Sequence, residues 1–165
     1  MSELTLLPCQ PYHWPAVWAL LEPVFRAGET YAVDPGITEA AARKMWLEAP
    51  VATWLAWRGD QLLGTYYLKP NQAGPGSHVC NCGYVVSPSA RGQGLAGNLC
   101  QHSQEQALAL GFRAMQYNLV VATNTAAIRV WQREGFAVVG CLPEAFRHPS
   151  EGLVDGLVMF KTLQP

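Results

Sequence analysis

The chain has 165 residues, of which 50% are hydrophobic and 14% are charged, and its net charge is −1. This length suits one domain with a well-supplied core, so we expect residues 1–165 to form a single domain. The charged share is well below the usual value of about 25%, and no basic stripe is present. Composition therefore excludes partners that are bound through a strongly basic surface, namely nucleic acids and anionic membranes.

The N-terminal residues and the cysteines predict the compartment. The start of the chain, Met1 to Leu4, lacks the basic and apolar regions of a signal peptide, and no apolar run is long enough to span a membrane. The five cysteines are an odd number with no regular spacing, which is typical of reduced thiols. We therefore expect a cytoplasmic protein. The high apolar content also makes a homodimer possible.

Apolar periodicity, turn residues and capping residues predict eleven elements in the order β-α-α-β-β-β-α-β-α-β-β. This order indicates an α/β fold with a mixed sheet of about seven strands. The predicted strands are 4–7, 53–57, 62–68, 79–86, 114–121, 136–139 and 153–160, and the predicted helices are 15–27, 39–47, 95–110 and 124–134.

A glycine-rich turn between the fourth strand and the third helix is the strongest functional signal. It reads Arg91-Gly92-Gln93-Gly94-Leu95-Ala96. Such a turn leaves backbone N–H groups free at a helix N-terminus, where the helix dipole favours an anion. Glycine allows close approach of the backbone to phosphate, and the Arg91 guanidinium can add a charge-assisted contact. The turn therefore predicts a site for a phosphorylated cofactor.

Two classes of cofactor fit a turn of this kind. The glycines Gly92, Gly94 and Gly97 formally satisfy the dinucleotide pattern G-x-G-x-x-G. That pattern needs an acidic residue about 20 positions further on, and the stretch from Met115 to Leu119 has none. The turn also follows an antiparallel meander rather than opening a parallel βαβ series. A nicotinamide cofactor is therefore disfavoured.

Two blocks of sequence instead resemble the GNAT superfamily of N-acetyltransferases. Arg91-x-x-Gly94-x-Ala96 matches the family's (Gln/Arg)-x-x-Gly-x-(Gly/Ala), and the run from Asn124 to Trp131, followed by Gly135-Phe136, is similar to its second block. The resemblance implies a sheet splayed between the fourth and fifth strands, acetyl-CoA as the acetyl donor and its diphosphate on the turn. The cofactor-binding residues that it implies are Val86, Arg91, Gly92, Gln93, Gly94, Leu95, Ala96, Gly97, Asn124 and Trp131.

The same resemblance assigns chemistry at the end of the fourth strand. There the backbone N–H of Val86 is expected to face the thioester oxygen and to stabilise the oxyanion. The Trp131 position is usually tyrosine in the family, where it is offered as the acid that protonates the leaving thiolate. Tryptophan cannot supply that proton, so we expect Trp131 to pack against the cofactor or simply within the core. Asn124 can hold the cofactor, cap the helix, or do both.

Asn81 and Asn118 are the candidate catalytic and acceptor-binding residues, because asparagine is depleted in strands and these two lie in neighbouring central strands. They can orient an acceptor amine and relay a proton through water, or they can be satisfied core amides. Together with the tail 153–155, they resemble a subgroup that acts on proline analogues such as azetidine-2-carboxylate. We expect Tyr31 to bind the acceptor, in a wall that includes Tyr66, Tyr67 and the loop 70–77.

A metal site is disfavoured because His78 and Cys82 lie about 13 Å apart along one strand, too far for one zinc ion. The sequence thus predicts a metal-free, acetyl-CoA-dependent N-acetyltransferase that acts on a small amine, in particular a free amino or imino acid. The alternative is a catalytically idle acyl-CoA sensor or scaffold, since the family's tyrosine and a carboxylate base are both missing.

Overall fold

The computed structural model describes residues 2–165 as one seven-stranded mixed sheet with helices on both faces. The strands are β1 (Leu4–Pro8), β2 (Ala52–Arg58), β3 (Gln61–Pro70), β4 (Val79–Val86), β5 (Ala114–Val121), β6 (Ala137–His148) and β7 (Gly152–Thr162). The helices are α1 (Trp14–Ala27), α2 (Glu39–Arg43), α3 (Leu95–Ala109) and α4 (Thr125–Arg133). Short 3-10 turns lie at Pro11–His13, Gly74–Gly76 and Pro88–Ala90. The strand order is β1-β2-β3-β4-β5-β7-β6.

The predicted element order is confirmed, and β4 and β5 have the predicted bounds. The prediction was wrong for β6, which continues to His148 rather than ending at Val139. Its pairing with β7 shifts register twice, and Glu144 within the second shift has a φ of 51°. A strand interrupted in this way loses the regular alternation on which a sequence prediction depends.

The second helical segment begins at the predicted N-cap. The Thr38 hydroxyl accepts a hydrogen bond from the Ala41 N–H, which satisfies one of the free donors of the first turn. After Arg43 the helix widens into a π-helical turn, Lys44–Glu48. This turn carries the Trp46 side chain into the core, where its indole N–H donates to the Thr65 hydroxyl at 3.1 Å.

Two hydrophobic cores lie on opposite faces of the sheet. Helices α1 and α2 cover one face, and the buried residues of this α1/α2 core are Trp14, Val17, Leu21, Phe25, Ala42, Trp46, Leu55 and Val85. Helices α3 and α4 cover the other face, and the α3/α4 core includes Tyr66, Cys80, Cys82, Leu95, Leu99, Met115, Tyr117 and Trp131. Successive residues of β4 alternate between these two cores, as a central strand requires.

The sheet is split between β4 and β5. These strands pair in parallel at three positions only, and the last pair is Asn81 with Gln116. Beyond that pair, β4 stays hydrogen-bonded to β3 up to Val86, while β5 pairs with β7. The predicted splay between the fourth and fifth strands is therefore present, and we call the space that it opens the β4/β5 gap.

Strand β6 forms the outer edge of the sheet and is exposed along most of its length. Val138, Val139 and Leu142 leave large apolar side chains in solvent there, as does Leu153 on β7. The homodimer that composition allows stays a prediction. Within residues 2–165, no helix is both long enough and apolar enough to cross a membrane.

Candidate active site

The glycine-rich turn has the backbone geometry that anion binding needs. Gly92 and Gly94 both have a φ of +76°, a left-handed conformation that favours glycine. A Cβ atom placed on either glycine would meet nothing within 4 Å, so the turn is open on that side. The first helical hydrogen bond runs from Asn98 N to Gly94 O, which leaves the N–H groups of residues 95–97 without a helical acceptor.

The side chain of Gln93 holds this turn against the rest of the fold. Its amide oxygen accepts a hydrogen bond from Arg58 at 2.8 Å, and its amide nitrogen donates to the Ser89 carbonyl at 3.2 Å. Gln93 thus supports the turn with its side chain and leaves its backbone N–H available. Arg91 is exposed, and the described residues place no carboxylate in an ion pair with it.

The orientation of the β4 backbone follows from two of its hydrogen bonds. Ser87 N donates to Leu63 O, and Val79 O accepts from Asn71 N, so odd-numbered residues bond towards β3. Backbone groups alternate along a strand, so the even-numbered residues face β5. Val86 is even-numbered and lies beyond the last β4–β5 pair. Its N–H therefore points into the β4/β5 gap, where an oxyanion donor is expected.

Tyr31 reaches the same gap from the α1/α2 face. Its hydroxyl donates a 2.5 Å hydrogen bond to the Tyr84 carbonyl, which is another even-numbered β4 group. The ring packs edge-to-face against Phe25 and Trp46, with centroid distances of 5.7 and 5.9 Å. These contacts hold the Tyr31 phenol beside the opening of the gap.

Four amide side chains form a polar strip on the α1/α2 face beside the gap. We call Asn71, Asn81, Gln116 and Asn118 the amide strip. Asn81 accepts from the Tyr67 hydroxyl at 3.0 Å and donates to Gln116 O at 3.0 Å, which bridges β4 and β5 where they part. Asn118 accepts from Gln116 Nε2 at 3.1 Å and donates to Asn71 Oδ1 at 2.7 Å.

Asn81 and Asn118 share this strip but differ in exposure, because Asn81 is buried and Asn118 is exposed. They are connected through Gln116 and make no direct hydrogen bond to each other. Each primary amide has two N–H donors, and the contacts just described use one of them in each residue. The strip therefore retains donors that can bind an acceptor.

Comparison with known proteins identifies the family. The family model described as the acetyltransferase (GNAT) family matches residues 14–136, which is most of the chain. The N-acetyltransferase aca1 of Schizosaccharomyces pombe is 43% identical over 148 residues, which cover 79% of this chain and 71% of that protein. The chain belongs to the GNAT family of acetyltransferases.

Solved structures agree with this assignment. A GCN5-related N-acetyltransferase from Kribbella flavida is 41% identical and superposes with a TM-score of 0.91, covering 97% of this chain and 98% of that one. The phosphinothricin acetyltransferase of Sinorhizobium meliloti, determined in complex with AcCoA, has a TM-score of 0.85. The superposition covers 99% of this chain and 89% of that one. The two sequences are only 18% identical, so this similarity shows the fold alone.

In this acetyltransferase, Asn124 and Trp131 have clear structural roles. Asn124 caps α4, since its side chain accepts from the Ala127 N–H at 3.4 Å. Trp131 is 8% exposed and stacks on Tyr84, with ring centroids 4.7 Å apart and planes inclined by 30°. Both helix capping and core packing are therefore observed. A contact between either residue and a cofactor stays a prediction.

The tyrosines and the cysteine on the α3/α4 side of the gap are held in their neutral forms. Burial raises the pKa of the Tyr84 and Tyr117 phenols well above 10, and it raises the pKa of the Cys82 thiol well above 9. The Tyr84 hydroxyl forms hydrogen bonds with the Tyr117 hydroxyl at 2.9 Å and with the Ser103 hydroxyl at 2.7 Å. At neutral pH none of these groups supplies an anionic base, so they form a neutral hydrogen-bonded wall.

The predicted acceptor wall needs one correction. Tyr67 lies on the α1/α2 face, as Tyr31 does, but Tyr66 does not. Tyr66 is fully buried in the α3/α4 core, where its hydroxyl pairs with His102 Nδ1 at 2.7 Å. Adjacent strand residues point to opposite faces, so the two tyrosines could not both line the acceptor site.

Sequence reasoning missed Lys69 and Gln116 of this site, and it included Asn71 only as an unnamed part of the loop 70–77. The alternation rule contains a signal for Gln116, because it lies two residues before Asn118 and therefore on the same face. Lys69 lies opposite Asn81 in the β3–β4 register, which sequence alone does not provide. The contact of Asn71 with Asn118 depends on how the loop after β3 folds back.

Proposed function

We propose that this acetyltransferase binds acetyl-CoA on residues 91–97 and transfers the acetyl group to a free amino or imino acid. The observation that supports acetyl-CoA binding is the open left-handed turn with free N–H groups at the start of α3. Arg91 adds positive charge there, and Gln93 keeps the turn in place. Acetyl-CoA, when bound, supplies an acetyl group activated as a thioester.

The residues of the gap then support direct transfer. The Val86 N–H is the donor that stabilises charge on the acetyl oxygen during attack, a contribution typically of about 3 kcal/mol. The rings of Trp131 and Tyr84 pack together on the α3/α4 side and keep water from the gap. No tyrosine occupies position 131, so the leaving thiolate takes its proton from water or from the attacking nitrogen, which loses its N–H proton as the amide forms.

The acceptor approaches from the α1/α2 face, where Tyr31 and the amide strip lie. Amide groups recognise a compact zwitterion well, because they donate to a carboxylate and accept from an ammonium or a neutral amine. The amine must lose a proton before attack, which costs about 4.6 kcal/mol at pH 7 for an ordinary alkyl amine of pKa ~10.4. Asn81 and Asn118 can order the water that removes that proton.

A turnover panel tests the proposal directly. Purified protein is incubated with acetyl-CoA and single acceptors, and released CoA is measured with a thiol reagent. The panel contains azetidine-2-carboxylate, proline, several primary amino acids, spermidine and a lysine peptide. We expect the amino and imino acids to be acetylated, with azetidine-2-carboxylate and proline as the first candidates.

Substitutions in the amide strip connect turnover to the site. Asn81→Ala and Asn118→Ala should raise KM or lower kcat for such an acceptor and leave acetyl-CoA affinity nearly unchanged. Gln101→Ala removes an exposed amide on α3 and serves as the matched control. Efficient acetylation of spermidine or the lysine peptide, with amino and imino acids inert and both asparagine variants fully active, would refute the proposed acceptor. Tight acetyl-CoA binding without turnover would favour a sensor.

A further inference from the structure

Lys69 is the cationic side chain of β3 that lies beside the amide strip. It follows Tyr67 by two residues, so both side chains lie on the α1/α2 face, and it stands directly opposite Asn81 in the β3–β4 register. Its Nζ atom lies 5.4 Å from the centroid of the Tyr67 ring. The Tyr67 hydroxyl in turn donates to Asn81 Oδ1 at 3.0 Å. An ammonium, an aromatic ring and an amide therefore adjoin one another beside the β4/β5 gap.

The positive charge of Lys69 has no partner of opposite charge within residues 2–165. The three ion pairs of these residues involve Arg26, Arg43 and Arg133. The half-buried ammonium is accompanied by the Tyr67 ring and the neutral amide strip, and no carboxylate hydrogen-bonds to any amide of the strip. A cation beside neutral hydrogen-bond donors is suited to bind a negatively charged group of a ligand.

Lys161 shows how a partly buried lysine is otherwise accommodated in this chain. Its Nζ donates to Gln104 Oε1 at 2.6 Å and to the Glu134 carbonyl at 2.9 Å, on the other side of the sheet. Those two bonds satisfy the ammonium with oxygen acceptors. No hydrogen bond of this kind joins Lys69 to the part of the chain that the structure describes, so its three N–H donors remain available.

We infer that Lys69 binds the carboxylate of the acceptor and so selects amino and imino acids over amines that lack an acid group. This inference rests on the proposed function, since it concerns the acceptor of that same site. The Lys69 ammonium and the remaining N–H donors of the amide strip would hold the two carboxylate oxygens. The amine of the same small molecule would then lie towards the gap. Lys69 is thus a specificity-determining residue rather than a proton carrier.

The kinetic test compares each acid with its amide in wild type, Lys69→Met and Lys69→Arg. Azetidine-2-carboxylate and proline are assayed beside azetidine-2-carboxamide and prolinamide, so that only the charge of the acceptor changes. In Lys69→Met, which retains the length of the side chain over Tyr67, kcat/KM for the acids should fall at least tenfold relative to the amides. Lys69→Arg should retain most of the preference for acids. An unchanged acid-to-amide ratio in Lys69→Met would overturn the inference.

A labelling test gives a readout that does not require turnover. The chain has only three lysines, Lys44, Lys69 and Lys161, so mass spectrometry can follow the reductive methylation of each separately. Proline at saturating concentration should slow the methylation of Lys69 at least threefold, and prolinamide should not. Lys44 and Lys161 are internal controls whose rates should not change. Equal methylation of Lys69 with proline and with prolinamide would count against the inference.

The two tests separate this inference from the proposed function. If amino and imino acids are acetylated and Lys69→Met leaves the acid-to-amide ratio unchanged, the proposed function stands and the role of Lys69 is wrong. If none of these acids is acetylated, the proposed acceptor class is wrong, and the labelling result alone decides whether Lys69 belongs to a carboxylate site.

Discussion

A pair of substitutions at Gly94 tests whether the turn binds an anion, because the two variants differ in charge and in little else. The φ of +76° at Gly94 makes any side chain costly by about 1 kcal/mol, and asparagine and aspartate are the residues that tolerate this conformation best. A Cβ at this position meets nothing within 4 Å. Gly94→Asn and Gly94→Asp should therefore fold with similar, modest losses of stability, and they differ only in one negative charge.

The size of the expected effect follows from Coulomb's law. A carboxylate about 6 Å from one phosphate charge is repelled by roughly 0.7 to 2.8 kcal/mol, for an effective dielectric constant between about 80 and 20. Gly94→Asp should therefore bind acetyl-CoA about threefold to hundredfold more weakly than Gly94→Asn. Because the effect is electrostatic, the difference between the two variants should shrink as salt is raised.

Isothermal titration calorimetry with acetyl-CoA measures this difference, and thermal unfolding checks that each variant is folded. Gly152→Asp is the matched control, because Gly152 has a φ of +74° and open space around it but is the first residue of β7, just after the β6–β7 turn. It should bind acetyl-CoA as wild type does. Equal affinities for Gly94→Asp and Gly94→Asn, in folded proteins, would show that the diphosphate does not lie on this turn.

Two further predictions concern Trp131 and His102. Trp131→Phe should keep most of the turnover number, because an aromatic ring still stacks on Tyr84 and no useful proton donor is lost. A hundredfold drop in kcat with unchanged acetyl-CoA affinity would instead implicate the indole N–H. Burial lowers the pKa of His102 below its ordinary value of about 6.5. The neutral form of this histidine therefore contributes its full share of the free energy of unfolding above pH 6.5, and this contribution is lost as pH falls through the folded-state pKa. Urea unfolding between pH 8 and pH 5 should show this loss, and His102→Gln should lack that part of it; identical pH profiles would contradict the argument.

Sequence periodicity predicts the regular parts of this fold and fails where a strand is interrupted. Strands β4 and β5 are flanked by clear turn signals, and their predicted bounds agree with the structure. Strand β6 contains two register shifts, so its apolar residues do not follow one alternation, and its second half could not be predicted. The glycine turn was identifiable because its left-handed backbone conformation is local and is favoured by the residue types themselves.

The acceptor side of the site was only partly predictable, because it is assembled from pairings between distant segments. Asparagines in central strands are unusual enough to attract attention, and Asn81 does lie where the strands part. The neighbouring Tyr66 and Tyr67 illustrate the limit of such reasoning. One of them must face the α1/α2 core and the other the α3/α4 core, and the sequence of β3 alone does not decide which.

The split in the sheet also predicts that acetyl-CoA binding and acceptor binding can be changed separately. Asn81 bridges β4 to β5 at their last paired position through its side chain, so the gap begins at a residue of the proposed acceptor site on the α1/α2 face. From that point the backbone of β4 continues alone, with even-numbered N–H groups directed into the gap as far as Val86. The glycine-rich turn, which we propose binds the diphosphate, then follows within a few residues of Val86. Because one strand carries both features in sequence, a shift of its register would misplace the oxyanion donor and the amide together.

A side-chain change on either face leaves the backbone of β4 intact. Substitutions at Lys69 or Asn118 should therefore alter acceptor kinetics alone, whereas substitutions at Gly94 should alter acetyl-CoA affinity alone.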